Sequence, residues 1–184
     1  MTLICVTGHQ GTGKSTLMNE VSERGYLTYG LDEEKIAGYF DTELNTPSVN
    51  IPTGLDRNLE WRKHTVWKAD LNKLRTLKLA PDNEPTFIFG NAVNIEEIWR
   101  LSAAVIVLQL DDDTTRQRLL NRTNNNYGKH PGEIELALET SRVIRNKAKA
   151  YSSVEVYYLD SILDISNLAT TIIEIGIKSS KLVY

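Results

Sequence analysis

Residues 8–16 read Gly8-His9-Gln10-Gly11-Thr12-Gly13-Lys14-Ser15-Thr16 and follow directly on the apolar run Leu3-Ile4-Cys5-Val6-Thr7. Three glycines within six residues do not suit a strand, and they weaken a helix interior. They suit a loop whose backbone N–H groups turn inward as an anion nest. Gly8 to Ser15 fit the pattern G-x-x-x-x-G-K-[ST]. The preceding run reads as a strand. Leu17 and Val21 then recur at helical spacing up to Gly25, a suitable helix stop. Strand, nest and helix N-terminus in succession concentrate positive partial charge where phosphates bind. Residues Gly8 to Thr16 are therefore the candidate ATP-binding loop. Lys14 reaches the β and γ phosphates, and the Ser15 hydroxyl reaches Mg²⁺. The plain alternative is a glycine-rich turn with no ligand. A dinucleotide-binding turn fits less well, because the order G-x-x-G-x-G leaves Lys14 without a role.

The rest of the chain alternates apolar runs with helical patterns. Beyond the first strand, Tyr26–Gly30, Thr86–Gly90, Ala104–Leu110 and Val154–Leu159 read as strands. Strands that are apolar throughout, with helices between them, indicate a parallel sheet covered on both faces. The expectation is a three-layer α/β fold with five parallel strands in a single domain over residues 1–184. A short helix is expected at Asp32–Phe40, with Asp32 as N-cap and Glu33 and Glu34 as solvated first-turn acids. A helix is expected from about Asp56 to Leu79, where Leu59, Val66, Leu71 and Leu74 lie near one helical face. Further helices are expected over 95–102, 114–122, the stretch up to Tyr151, and 162–175.

Composition narrows the functional classes. The chain has 184 residues, 21 basic and 24 acidic, with a net charge of −3. That balance gives no general field for nucleic acid or an anionic membrane. Cys5 is the single cysteine and reads as a small core residue, so no disulfide framework and no Cys/His metal cluster is expected. No segment reads as a signal peptide or a membrane span. A cytoplasmic protein with a small-molecule partner is expected, and composition does not fix its oligomeric state.

Asp32 follows the second strand. In an open parallel sheet, ligands bind beyond the carboxyl ends of the strands, which puts Asp32 on the edge that carries the glycine loop. It can take a proton from an acceptor hydroxyl or hold a water of the Mg²⁺ shell; capping a helix is its plain alternative. Residues of about 32–80 form the candidate acceptor segment, with Arg57, Trp61 and Arg62 as acceptor contacts and Asn91 after the third strand. Arginine holds acidic groups and aromatic faces stack on bases; core packing is the plain reading of the tryptophans. Arg118 and Arg122 share one helix face. Arg142 and Arg145 lie on the returning helix. The polar stretch between them makes about 118–145 a candidate lid whose arginines offset charge on a transferring phosphoryl group.

Taken together, the loop Gly8–Thr16 and the Arg118-x-x-x-Arg122 pair after the fourth strand resemble the nucleoside and nucleoside-monophosphate kinase group, including adenylate-kinase-like and shikimate-kinase-like enzymes. The resemblance implies a strand order of 2-3-1-4-5, Mg-ATP as donor and a lid over the phosphates. It implies that Arg118 lies against the adenine and that Arg122, with Arg142 or Arg145, faces the phosphates. The chain departs from adenylate kinases after the third strand, where Phe89-Gly90-Asn91-Ala92 replaces an Asp-Gly-Phe-Pro-Arg run. That leaves Asp32 as the candidate metal-side carboxylate and weakens the case for a nucleoside monophosphate. The expected activity is ATP-dependent phosphoryl transfer to a small acceptor, a nucleoside or nucleotide first. The alternatives are an NTPase switch and an ATP-binding protein without kinase activity.

Overall fold

The computed structural model describes residues 2–52, 59–81, 84–123 and 125–181. Its centre is a five-stranded parallel sheet of β1 (Thr2–Thr7), β2 (Leu27–Gly30), β6 (Pro85–Phe89), β7 (Ala104–Gln109) and β8 (Glu155–Asp160), in the order β2-β6-β1-β7-β8. The fold class is as expected. The labels depart from 2-3-1-4-5 because three further strands intervene in the chain. Counted among the strands of this sheet alone, the order reads 2-3-1-4-5.

Every residue of β1 and β6 is buried, as the continuous apolar runs require of inner parallel strands. Side chains alternate between the two faces, and the core divides accordingly. Leu3 and Cys5 belong to the cluster containing Ile95, Ile98 and Trp99 of α4 (Ile95–Trp99) and Ile144 and Ala148 of α6 (Glu133–Ala150). Ile4 and Val6 belong to the opposite cluster. That one contains Leu17 and Val21 of α1 (Lys14–Glu23) and Leu168, Ala169 and Ile172 of α7 (Ile165–Lys181). Burial pushes the Cys5 thiol up to about 12, so it is an inert packing group. No helix among the described residues is long and apolar enough to cross a membrane.

The segment between β2 and β6 corrects two expectations. Residues 31–35 form turns, not a helix, and β3 (Ala37–Asp41) follows at once. Lys35 has φ 52°, in the left-handed region that a continuing helix does not tolerate. The expected helix over 56–79 is, in its described part, α2 (Leu59–Lys63), β5 (Thr65–Ala69) and α3 (Leu71–Arg75). Thr65, Val66 and Trp67 favour a pleated strand over a helix. Asp70 then starts a new helix, its carboxylate accepting from the Asn72 and Lys73 amides at 2.9 and 3.3 Å. β5 pairs antiparallel with β3, and β4 (Thr46–Pro47) covers the far edge of β3. A small sheet of order β4-β3-β5 is thus inserted into the parallel fold.

The small sheet is tied to the main one. The Val93 amide donates to the Trp67 carbonyl at 2.8 Å. Asn94 bridges the Ala69 backbone, accepting from its amide at 2.9 Å and donating to its carbonyl at 3.1 Å. On the other side, α5 (Asp112–Asn121) and α6 form the hairpin expected after β7. The turn between them passes so close to α5 that a Cβ on Gly128, whose φ is +96°, would meet Leu119 Cβ at 2.8 Å. A glycine is needed there on both counts.

Candidate active site

The loop of residues 8–13 joins β1 to α1. Gly13 is the N-cap of α1 in the left-handed conformation, φ 80°, and a Cβ there would meet nothing within 4 Å. The loop backbone therefore opens onto free space at the helix N-terminus, which suits a phosphate. Lys14 folds over the loop. Its Nζ donates to the carbonyls of Gly8 and His9, both at 2.8 Å, and approaches Thr12 Oγ1 at 3.4 Å. Burial, with Arg122 nearby, pushes the Lys14 ammonium down to about 8; Asp32 and Glu33 work against that shift.

Two residues brace the loop from outside. Arg118 of α5 donates to the Gly11 carbonyl at 3.3 Å and to the Ser161 carbonyl at 2.9 Å, joining the loop to the turn after β8. His9 is 2% exposed, with Nε2 2.9 Å from Thr115 Oγ1 of α5. Burial and the charges of Lys14 and Arg145 lower its pKa to about 4, so His9 is neutral at physiological pH. Its role is to hold the loop against α5. Gln10, Thr12 and Thr16 complete the loop and the first turn of α1, and Thr12 Oγ1 donates to the His9 carbonyl at 2.9 Å.

The carboxylates stand where β2 ends. Asp32 Oδ1 accepts from Trp67 Nε1 at 3.0 Å. Asp32 is exposed at the surface, yet partial desolvation of its carboxyl raises its pKa, while the indole bond and Lys14 oppose that rise. Glu33, expected in a solvated helical turn, instead accepts a 3.3 Å hydrogen bond from Ser15 Oγ. The carboxylate beside the candidate metal hydroxyl is thus Glu33, one residue beyond the Asp32 to which sequence reasoning gave that part. Among the described residues no three His, Cys, Asp or Glu side chains converge as a self-sufficient metal centre. A hydroxyl plus one or two carboxylates is nevertheless the set with which Mg²⁺ is held jointly with phosphate oxygens. The residues fit that ion.

The remaining candidates fall into two groups. Asn91 follows β6 on the loop's edge of the sheet. Its Oδ1, with Thr7 Oγ1 and Gln10 Oε1, is buried with no hydrogen-bond partner among the described residues. Arg145 lines a narrow cleft with Gly8, His9 and Ser141. Arg122 is at the end of α5, close enough to Lys14 to lower its pKa. Arg142 lies further out, 57% exposed and 3.5 Å from both Asp112 and Glu139. Trp61 packs edge-to-face on Tyr39 at 4.8 Å and lines an open groove of about 310 Å³ on the small sheet. Arg62 reaches Glu133 at the start of α6 at 2.9 Å and lies over the Tyr127 ring. Arg57 lies outside the described residues. Sequence reasoning gave no site role to Glu33, Trp67, Tyr127 or Glu133. The first two had a faint signal, a second acid beside Asp32 and an aromatic in a β-branched run.

A parallel sheet whose first strand opens into this loop is the architecture of a P-loop protein. Residues 4–141 match the AAA domain family, and the chain belongs to it. Among solved structures it is similar to a gluconokinase from Sinorhizobium meliloti 1021, at TM-score 0.57 and 17% identity, covering 100% of this chain and 95% of that one. It is also similar to the shikimate kinase from Acinetobacter baumannii in complex with shikimate, at TM-score 0.59 and 14% identity over 95% and 92%. The shikimate kinase from Aquifex aeolicus vf5 follows at 0.53 and 14% over 98% and 99%. No curated protein matches by sequence. The chain therefore has the fold of P-loop small-molecule kinases.

Proposed function

We propose that this protein is an ATP-dependent phosphotransferase acting on a hydroxyl of a small molecule. One observation carries the reading: the phosphate loop with Lys14, the Ser15–Glu33 pair and the Trp67-bound Asp32 share one edge of the sheet. In this scheme the loop amides and Lys14 bind the triphosphate, Arg122 and Arg145 supply positive charge around it, and Arg118 lies on the adenine side. Ser15 Oγ and Glu33 would hold Mg²⁺, which supplies charge neutralisation across the β and γ phosphates. Asp32 takes the proton of the attacking hydroxyl. Its raised pKa suits a base better than that of a fully solvated carboxylate.

A hydroxyl acceptor fits this edge better than a phosphate, because Asp32 and Glu33 would repel a second phosphate and a phosphate acceptor needs no base. Of the two hydroxyl classes, the aromatic residues Tyr39, Trp61 and Trp67 on the inserted segment support a nucleoside. The fold likeness to a gluconokinase and to shikimate kinases supports a small hydroxy acid. Asn91 and Arg57 are the further residues proposed on the acceptor side. Two variants test the scheme. Lys14→Ala removes most Mg-ATP affinity, whereas Asp32→Asn removes most turnover and leaves that affinity within about twofold. Unchanged Mg-ATP affinity in Lys14→Ala would overturn the reading.

A further inference from the structure

Trp67 stands on β5 with its ring against the core cluster. Two contacts fix it directly and a third fixes its strand. Its backbone carbonyl accepts from Val93 at 2.8 Å, which anchors it to the segment after β6. Its β-ladder partner is Tyr39, whose ring meets the indole edge-to-face at a centroid distance of 4.8 Å. The neighbouring Ala69 backbone is bridged by Asn94. The strand is therefore tied to the segment after β6, the indole ring packs on Tyr39 and the core cluster, and its one polar atom, Nε1, donates to Asp32 Oδ1 at 3.0 Å. Asp32 lies in a hydrogen-bonded turn, its carbonyl accepting from the Lys35 amide at 3.1 Å, so the turn places its backbone and the indole bond orients its carboxylate.

We propose that Trp67 is a positioning residue: its N–H fixes the Asp32 carboxylate against the phosphate loop, leaving Oδ2 as the oxygen that takes the acceptor's proton. The inserted small sheet then has a catalytic purpose, since it carries the donor that orients the base. This inference rests on the reading of Asp32 as base. The chemistry is the same with water as acceptor. The water oxygen bonds to the γ phosphorus, the bond from that phosphorus to the β–γ bridging oxygen breaks, and ADP leaves with the electron pair. The proton passes to Asp32.

The test uses slow ADP release from Mg-ATP in water, so no acceptor has to be known. Wild type, Asp32→Asn, Trp67→Phe and the double variant are compared, with Mg-ATP affinity measured by calorimetry. Trp67→Phe keeps an aromatic ring beside Tyr39 and removes the donor together with part of the indole's bulk. It is expected to slow hydrolysis about tenfold or more, the scale of a misplaced catalytic group, with affinity within twofold. The double variant is expected to be no slower than Asp32→Asn, because Trp67 acts only through Asp32. The indole N–H resonance that Trp67→Phe removes from a ¹⁵N spectrum is expected to shift in Asp32→Asn.

Wild-type hydrolysis in Trp67→Phe beside a slowed Asp32→Asn overturns this inference alone. So does a double variant slowed by the product of the two single effects. Wild-type hydrolysis in Asp32→Asn overturns the base reading, and this inference with it. Should Trp67→Phe fail to fold, the otherwise intact Asp32→Asn protein decides. No shift of any of the three indole N–H resonances overturns the inference, and a shift of one supports it.

Discussion

Arg62 Nη2 lies 2.9 Å from Glu133 Oε1, with 15% and 4% of their side chains exposed. The pair joins α2 of the inserted segment to the first residue of α6, 71 positions away. Glu133 also accepts from the amides of Gly128 at 2.7 Å and His130 at 3.4 Å, so one carboxylate shapes the α5–α6 turn and docks it on the insert. Breaking a buried pair leaves a charge and two amides without partners. Glu133→Ala is expected to cost about 3–5 kcal/mol of folding stability. Glu133→Gln keeps an acceptor for the amides and is expected to cost less than half as much. Denaturant melts of both variants check this; equal and small effects would show that the contact is not maintained in solution.

His9 gives the protein a defined acid weakness. Its folded pKa is about 4, against an ordinary 6.5. Between these values the unfolded chain takes up a proton that the folded chain refuses. Stability is therefore full above about pH 6.5 and declines as pH falls towards 4. The contribution is on the order of 3 kcal/mol when the window has been crossed. Melts of wild type and His9→Gln over pH 4–7 are expected to converge at the acid end. Parallel curves would remove His9 as the cause.

Much of this architecture is legible in the sequence, and the parts that are not share a physical reason. β1, β6 and β7 are buried on both faces, so they read as apolar runs whatever packs on them. The phosphate loop is legible because glycine spacing and Lys14 are local properties. The small sheet is not, because Val66, Leu71 and Leu74 happen to repeat at helical spacing while belonging to two different elements, β5 and α3. Only pairing with β3, a non-local event, decides between the periods. The same limit hides the partners at the site. Trp67 meets Asp32 across 35 residues and Arg62 meets Glu133 across 71, and no local pattern announces either contact.

The two adjacent acids are expected to separate in their response to metal. Glu33 stands at Ser15 Oγ, whereas Asp32 is held by Trp67. Glu33→Gln should weaken the Mg²⁺ dependence of ATP binding by about tenfold, measured by titrating nucleotide with and without Mg²⁺. Asp32→Asn should leave it within twofold. The reverse ranking would return the metal side to Asp32.

The most direct test of phosphoryl transfer is ADP release from Mg-ATP in the presence of nucleosides, nucleoside monophosphates and small hydroxy acids. One hydroxyl-bearing class is expected to raise the rate by about a hundredfold or more over water, and Asp32→Asn is expected to abolish the increase. A rate that no acceptor changes, in a protein that binds Mg-ATP tightly through Lys14, would contradict a kinase and identify a nucleotide-binding protein built on the kinase fold.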